Sequence, residues 1–305
     1  MAVLHPYDYN DVHQLSARSV SSSITPNATQ RTTLIIAGCY ILIIGILWHV
    51  PYLNFIIYPF KLLTVGFHEM SHAFVGVLTC AHIHSIELDP DEGGATSMSG
   101  GIPWLTLPAG YLGSSLIGAA LITCGFDTNA SKVASLALAV FLSLRSAELM
   151  VEVVMVIDCA FIRTWVLLLG MSGLIVLFWF LKGGEVLRFL VLFIGVMSCL
   201  YVLWDVIDDT IARKVNASDA SAFAKICGCF PSQVWGVIWL VVAFLFFIAG
   251  ILVGIVAFKE STAQQEQDAK HFLPVPGSNG AIASSLSTPL ALLLSTLTST
   301  LLALL

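Results

Sequence analysis

Apolar positions gather into long runs along this chain, divided by short polar stretches. A helix needs about 20 apolar residues to cross the hydrocarbon of a bilayer. Seven segments approach that length: approximately 34–50, 52–81, 105–125, 133–157, 163–181, 186–209 and 235–258. Pro51 and Pro59 predict a bent start to the second. Arg145, Glu148 and Glu152 interrupt the fourth on one helical face, so that segment either pairs its charges internally or lies partly in the interface. Residues 289–305 make an eighth candidate, short and laced with Ser and Thr, that reads equally as a span or as a loosely associated amphiphilic tail. The pattern predicts an all-α polytopic membrane protein of about six to eight transmembrane helices.

The polar stretches divide the chain further. Residues 1–33 are rich in Ser, Thr and Asn and predict a disordered N-terminal tail. They hold no apolar stretch that a cleavable signal peptide would need, so the first span is expected to stay uncleaved and to target the chain itself. A transmembrane domain follows over 34–258, then a polar linker from about 259 to 288 and the apolar C-terminal tail, 259–305 in all. Residues 82–104 combine four acids and four glycines with β-compatible stretches, predicting a Gly-rich β-hairpin or re-entrant loop. Residues 210–234, with Arg213, Lys214 and Lys225, predict a short, partly helical loop. Positive charges fall almost evenly on alternate loops, so the positive-inside rule assigns no orientation.

Composition narrows the class. Hydrophobic residues make up 57% and charged residues 10%, against about 25% charged in globular chains. Mean hydropathy is +0.91. Thirteen basic and nineteen acidic residues cannot supply the charged shell of a soluble protein this long, and collagen-like and disulfide-scaffold classes are excluded with it. The net charge is −6 without any basic tract, which leaves no electrostatic footprint for nucleic acid. Of seven cysteines most lie in apolar runs. Cys227 and Cys229 flank one glycine in a polar loop, where they can bridge or oxidise, and no second pair completes a zinc-ribbon spacing.

The second span carries the chemistry. Phe67-His68-Glu69-Met70-Ser71-His72 is an HExxH motif. Four residues are about one helical turn, so both imidazoles share a face and can reach one tetrahedral ion, while the adjacent Glu69 suits a base. Ionisable groups inside a span are costly and normally mark function. The rival reading hydrogen-bonds both histidines to neighbouring helices and protonates Glu69. His82 and His84, at the exit of this span, read as interfacial imidazoles. A zinc site needs a third protein ligand. The sixth span ends in Trp204-Asp205-Val206-Ile207-Asp208-Asp209, whose acids share a face. Asp205 lies deepest and is the expected donor, with Asp208 in reserve and Asp209 solvated. A simple count of spans puts His68 and Asp205 toward opposite faces, a conflict that eases if the second helix starts near residue 55 or the fourth segment does not cross. Gly93, Gly94, Gly100 and Gly101 are candidate substrate-docking positions, since glycine lets another backbone approach closely, for a substrate strand or for helix packing.

Together these segments resemble the site-2 protease family of intramembrane zinc metallopeptidases, and more narrowly its peptidase-like branch of fungi and plants. The resemblance runs over about residues 33–258 through His68-Glu69-Met70-Ser71-His72-Ala73, Glu92-Gly93-Gly94-Ala95-Thr96, Ala109-Gly110-Tyr111-Leu112-Gly113 and Trp204-Asp205-Val206-Ile207-Asp208-Asp209. Segments like Ser218-Asp219-Ala220, Phe223-Ala224 and Val234-Trp235-Gly236 follow in the same order. It implies Zn2+ on His68, His72 and a carboxylate best matched by Asp205, with Glu69 as base. It also implies a substrate that is a transmembrane helix of another membrane protein, unwound near the cut; the chain is expected in a membrane whose organelle the sequence does not identify, the endomembrane system being a guess. Two departures stand out: Val206 replaces the glycine of the usual Leu-Asp-Gly, and residues 145–163 look like an insertion. The alternative function is non-enzymatic: a metal transporter, a channel, or a proteolytically inactive zinc-binding scaffold for client helices.

Overall fold

The computed structural model describes residues 24–50, 52–89, 93–152, 159–207 and 218–271. Helix α1 spans Ala28–His49. Its first turn is closed by a capping box, in which the Asn27 side chain accepts from the Gln30 N–H and the Gln30 side chain accepts from the Asn27 N–H. The helix therefore begins inside the stretch expected to be tail, because cap chemistry precedes the apolar run; residues 1–23 fall outside the described parts.

Helix α2 (Asn54–Leu78) starts where the metal motif would need it to, and it runs through Pro59, whose missing N–H falls in the second turn. The predicted hairpin follows: β1 (His82–Asp89) pairs antiparallel with β2 (Gly93–Ser99), from Asp89 opposite Gly93 to His82 opposite Ser99. Then come α3 (Pro103–Cys124), α4 (Thr128–Glu152) and α5 (Cys159–Phe180). A turn at Leu181–Gly184, with positive φ at Lys182, Gly183 and Gly184, separates α5 from α6 (Glu185–Ile207). The last elements are α7 (Asp219–Cys227), α8 (Ser232–Ala257) and α9 (Thr262–His271).

This is an integral, multi-pass membrane protein, mostly helical with one small sheet. Among the described residues, four stretches are long and apolar enough to cross a membrane: Ala28–His49, Pro103–Cys124, Leu169–Asp205 and Ser232–Ala257. The third of these is divided by the Leu181–Gly184 turn into parts of α5 and α6. Lys61, His68, Glu69 and His72 dilute the apolar run of α2, and the described side chains of α4 contribute an apolar stretch over Thr128–Ser143. The side chains of Arg145, Glu148 and Glu152, residues 153–158, and the eighth candidate at 289–305 lie outside the described parts.

Helix α3 is the hub, packing against α2, α4, α6, α7 and α8. Small residues permit this. A Cβ on Gly118 would come within 2.9 Å of the Gly195 carbonyl oxygen of α6, and one on Gly250 of α8 within 2.6 Å of the Ala119 oxygen. In a bilayer, where lipid competes for apolar surface, such close backbone approach is a main source of helix association. One further element differs from expectation. The predicted linker after 258 contains α9, whose Gln265 is buried against the bundle and donates to the Phe126 carbonyl. Cys227 and Cys229, at the end of α7, form a disulfide.

Candidate metal centre

One turn of α2 brings the two histidines together, with Nε2 atoms 3.0 Å apart and each residue 5% exposed. The carboxylate that meets them comes from α7. Asp219 Oδ2 lies 2.9 Å from His68 Nε2 and 2.9 Å from His72 Nε2. Asp219 is the first residue of a helix capped by the Ser218 hydroxyl, so its negative charge sits at the positive end of the helix. Ala220 and Phe223, buried against Tyr111, Trp239 and Ala243, hold α7 in this register. Burial favours the neutral acid, but the charge and hydrogen bonds of His72 and His68 outweigh it and keep the Asp219 carboxyl well below the usual carboxylate range.

The donor set fits a cation. His72 Nδ1–H donates to the Thr106 carbonyl at 2.6 Å, which leaves a lone pair on Nε2 in the neutral ring. That lone pair faces a carboxylate oxygen and a second imidazole nitrogen. With no proton on either Nε2 such an arrangement is repulsive by itself, and a positive ion among the three atoms would stabilise it. Two imidazoles and one carboxylate are zinc donors, and three protein ligands leave a position open. Among the described residues, His68, His72 and Asp219 are the one group of metal-binding side chains this close together.

Surrounding glycines make room for the site. A Cβ on Gly110 of α3 would lie 2.3 Å from His72 Nε2 and 2.5 Å from His68 Nε2, and one on Gly113 would lie 2.3 Å from Ser71 Oγ. The Ala-Gly-x-x-Gly spacing of α3 thus admits α2 at the level of the histidines. The hairpin closes the other side. Glu69 is 3% exposed, and Thr96 of β2 donates its hydroxyl to Glu69 Oε2 at 2.6 Å. Gly94 abuts the same carboxylate, where a Cβ would come within 2.3 Å of Oε1.

The structure therefore brings together His68, Glu69 and His72, while Asp205 goes elsewhere. It accepts a hydrogen bond from the Tyr111 hydroxyl, and the carboxylate at the histidines is Asp219 instead. The expected conflict between faces is absent, since Tyr201, one turn before Asp205, places its ring 5.6 Å from that of His68. Asp208 and Asp209 lie outside the described residues. Of the candidate docking glycines, Gly93 and Gly94 begin β2, whereas Gly100 and Gly101 have φ of 83° and 76° in the turn to α3. Only glycine takes that conformation without strain. Asp219 had a visible signal: a helix-capping Ser218, then an acid, then apolar Ala220 and Phe223 three apart. The resemblance includes these residues but gives Asp219 no role.

A sequence model of the Peptidase M50B-like family matches residues 37–250, from within α1 to within α8. No curated protein and no solved structure matches the chain. The matched stretch covers most of the molecule and contains the histidine pair, Glu69, Asp205 and Asp219, so the chain belongs to the Peptidase M50B-like family, part of the wider site-2 protease family.

Proposed function

We propose that this protein is an intramembrane metalloendopeptidase that cuts peptide bonds in or near transmembrane helices of other membrane proteins. The observation that carries this reading is the convergence of His68 Nε2, His72 Nε2 and Asp219 Oδ2, all within 3.0 Å of one another, beside a buried Glu69. His68, His72 and Asp219 would hold Zn2+, which when bound supplies Lewis-acid polarisation of the scissile carbonyl and an acidified water. Glu69 takes the proton of the attacking water on its carboxylate and returns it to the leaving amine. Thr96 fixes the carboxylate through Oε2, and Thr106 fixes the His72 ring through Nδ1. A substrate helix hides its carbonyls in i-to-i+4 bonds and must unwind locally to be cut. The hairpin, with small Gly94 beside Glu69, is the place where an extended segment would find replacement backbone partners.

The test separates hydrolysis from mere metal binding. Purified protein should contain one zinc per chain, lost in His72→Ala and Asp219→Ala. Glu69→Gln should keep its zinc and lose at least about three orders of magnitude in cleavage of a reconstituted transmembrane substrate. Near-normal function in Glu69→Gln would favour a transporter or scaffold instead.

A further inference from the structure

The two histidines of α2 are not held in the same way. His72 is oriented by a hydrogen bond from Nδ1–H to the Thr106 carbonyl. His68 Nδ1 is buried and has no hydrogen-bond partner among the described residues. What fixes the His68 ring is aromatic contact on two sides. The Tyr111 ring meets it edge-on, with centroids 4.7 Å apart and planes at 79°, and the Tyr201 ring does so at 5.6 Å and 67°. Tyr111 is in turn held at both ends. Its ring stacks on Trp239 at 4.9 Å, and its hydroxyl donates to Asp205. Tyr111 is 2% exposed, so it cannot swing away into open space.

Resting on the metal-site reading above, we propose that Asp205 and Tyr111 are a positioning pair that aims His68 at the metal. Asp205 does not coordinate. It anchors the Tyr111 hydroxyl, and the anchored ring is the wall that sets the imidazole plane. The geometry suits this division of labour. Tyr201 and Asp205 stand one turn apart on α6, so a single helix supplies one ring against His68 and the carboxylate that holds the other. A ligand histidine usually has its second nitrogen tied by a polar partner. Here an acid acts on the ring through a tyrosine.

The experiment uses the full chain in detergent, loaded with Co2+ as a spectroscopic probe, with affinity measured by chelator competition. Helix content and thermal unfolding are followed in parallel. Wild type should give the visible bands of a bound cobalt ion, and Asp219→Ala should lose them. Tyr111→Phe keeps the ring but not the hydroxyl, and Asp205→Ala removes the anchor. Each should still bind cobalt, with a shifted band and an affinity about ten- to a hundredfold weaker. The double variant should be no worse than either single one, because both break the same link. Asp205→Asn, which still accepts from the tyrosine, should return toward wild type. Complete loss of cobalt in Asp205→Ala, matching Asp219→Ala, would make Asp205 a ligand and overturn the proposal. So would wild-type bands and affinity in Tyr111→Phe, a variant too conservative to unfold the protein. Absence of cobalt from wild type would instead overturn the metal reading, and this proposal with it.

Discussion

Buried polar side chains gather at both ends of the α3–α6 pair, and the two gatherings differ in kind. At one end are His68, His72, Asp219 and Glu69, with Tyr111 and Asp205 beside them. At the other, Arg188 in the first turn of α6 donates to Gln265 Oε1 at 2.7 Å and to Thr33 Oγ1 at 2.9 Å. There Lys132 donates to the Ala269 carbonyl and Gln265 to that of Phe126. Arg188 and Asp205 are seventeen residues apart on α6, or about 25 Å of helix. Around Arg188 the donors face oxygen acceptors, and of that guanidinium only Nε lacks a partner among the described residues. Around His72 two ring nitrogens and a carboxylate oxygen converge on one point, where a metal ion or a proton has to lie among them. A buried polar residue in an apolar helix is expensive in either case. What separates a fastening from a site is whether the polar set can satisfy itself or needs something brought from outside.

The sharpest way to break the comparison is to fill the space at one end without touching its polar groups. Gly110→Ala adds a single methyl, but it would overlap both imidazole Nε2 positions. The rings have to turn away, so zinc content and cleavage should fall by at least about two orders of magnitude. The far end does not sense this change. Stability should drop by only about 1–3 kcal/mol, the usual cost of overpacking. If Gly110→Ala kept its zinc, the histidines would not be confined as the structure places them.

The same contrast explains what the sequence made legible. His68 and His72 are four residues apart on one helix, so helical periodicity alone puts both imidazoles on one face with Glu69 beside them. The hairpin was readable too, from glycines and β-compatible alternation on both sides of an acidic turn. Asp219 was not, because its partnership with His68 spans 151 residues and depends on how α7 docks. Asp205 offered the more conspicuous signal, an acid deep in an apolar run, and burial alone cannot say whether an acid faces a metal or a tyrosine hydroxyl. Helix α9 was hidden for a related reason. Thr262–His271 is strongly polar and reads as linker, and its docking shows only in tertiary bonds, those of Gln265 with Arg188 and Phe126 and of Ala269 with Lys132. Polar residues also interrupt the apolar run of α2, so among the described residues its length and composition alone do not mark it as a span.

Arg188→Ala examines the other end. It takes the guanidinium donor from Gln265 Oε1 and Thr33 Oγ1, leaving the former only a long bond from the Thr128 hydroxyl, and opens a space between α6, α1 and α9. The expected loss is about 2–4 kcal/mol of stability, combining unpaired buried groups with lost packing. It should appear as a lower midpoint of thermal or denaturant unfolding and as earlier proteolysis of the segment after α8. Zinc stoichiometry and cleavage rate of the folded fraction should be unchanged. A loss of zinc at this distance would mean that the two ends form one cooperative unit.

The smallest effect comes from a residue between fastening and site. Thr96 donates to Glu69 Oε2, but it touches none of the three donor atoms. Thr96→Val conserves shape and removes only the hydroxyl, which donates to Glu69 Oε2 and more weakly to the Glu69 carbonyl oxygen. The Glu69 carboxylate is then free to rotate, and a buried oxygen loses a partner. Catalysis should fall about tenfold, equivalent to about 1.4 kcal/mol in the barrier, in line with a single hydrogen bond to a charged group. The loss belongs in kcat rather than KM, because Thr96 orients the base and does not bind the substrate. Metal affinity should match wild type. An equal rise in KM would instead place Thr96 on the substrate path, where β2 would recognise the extended segment directly.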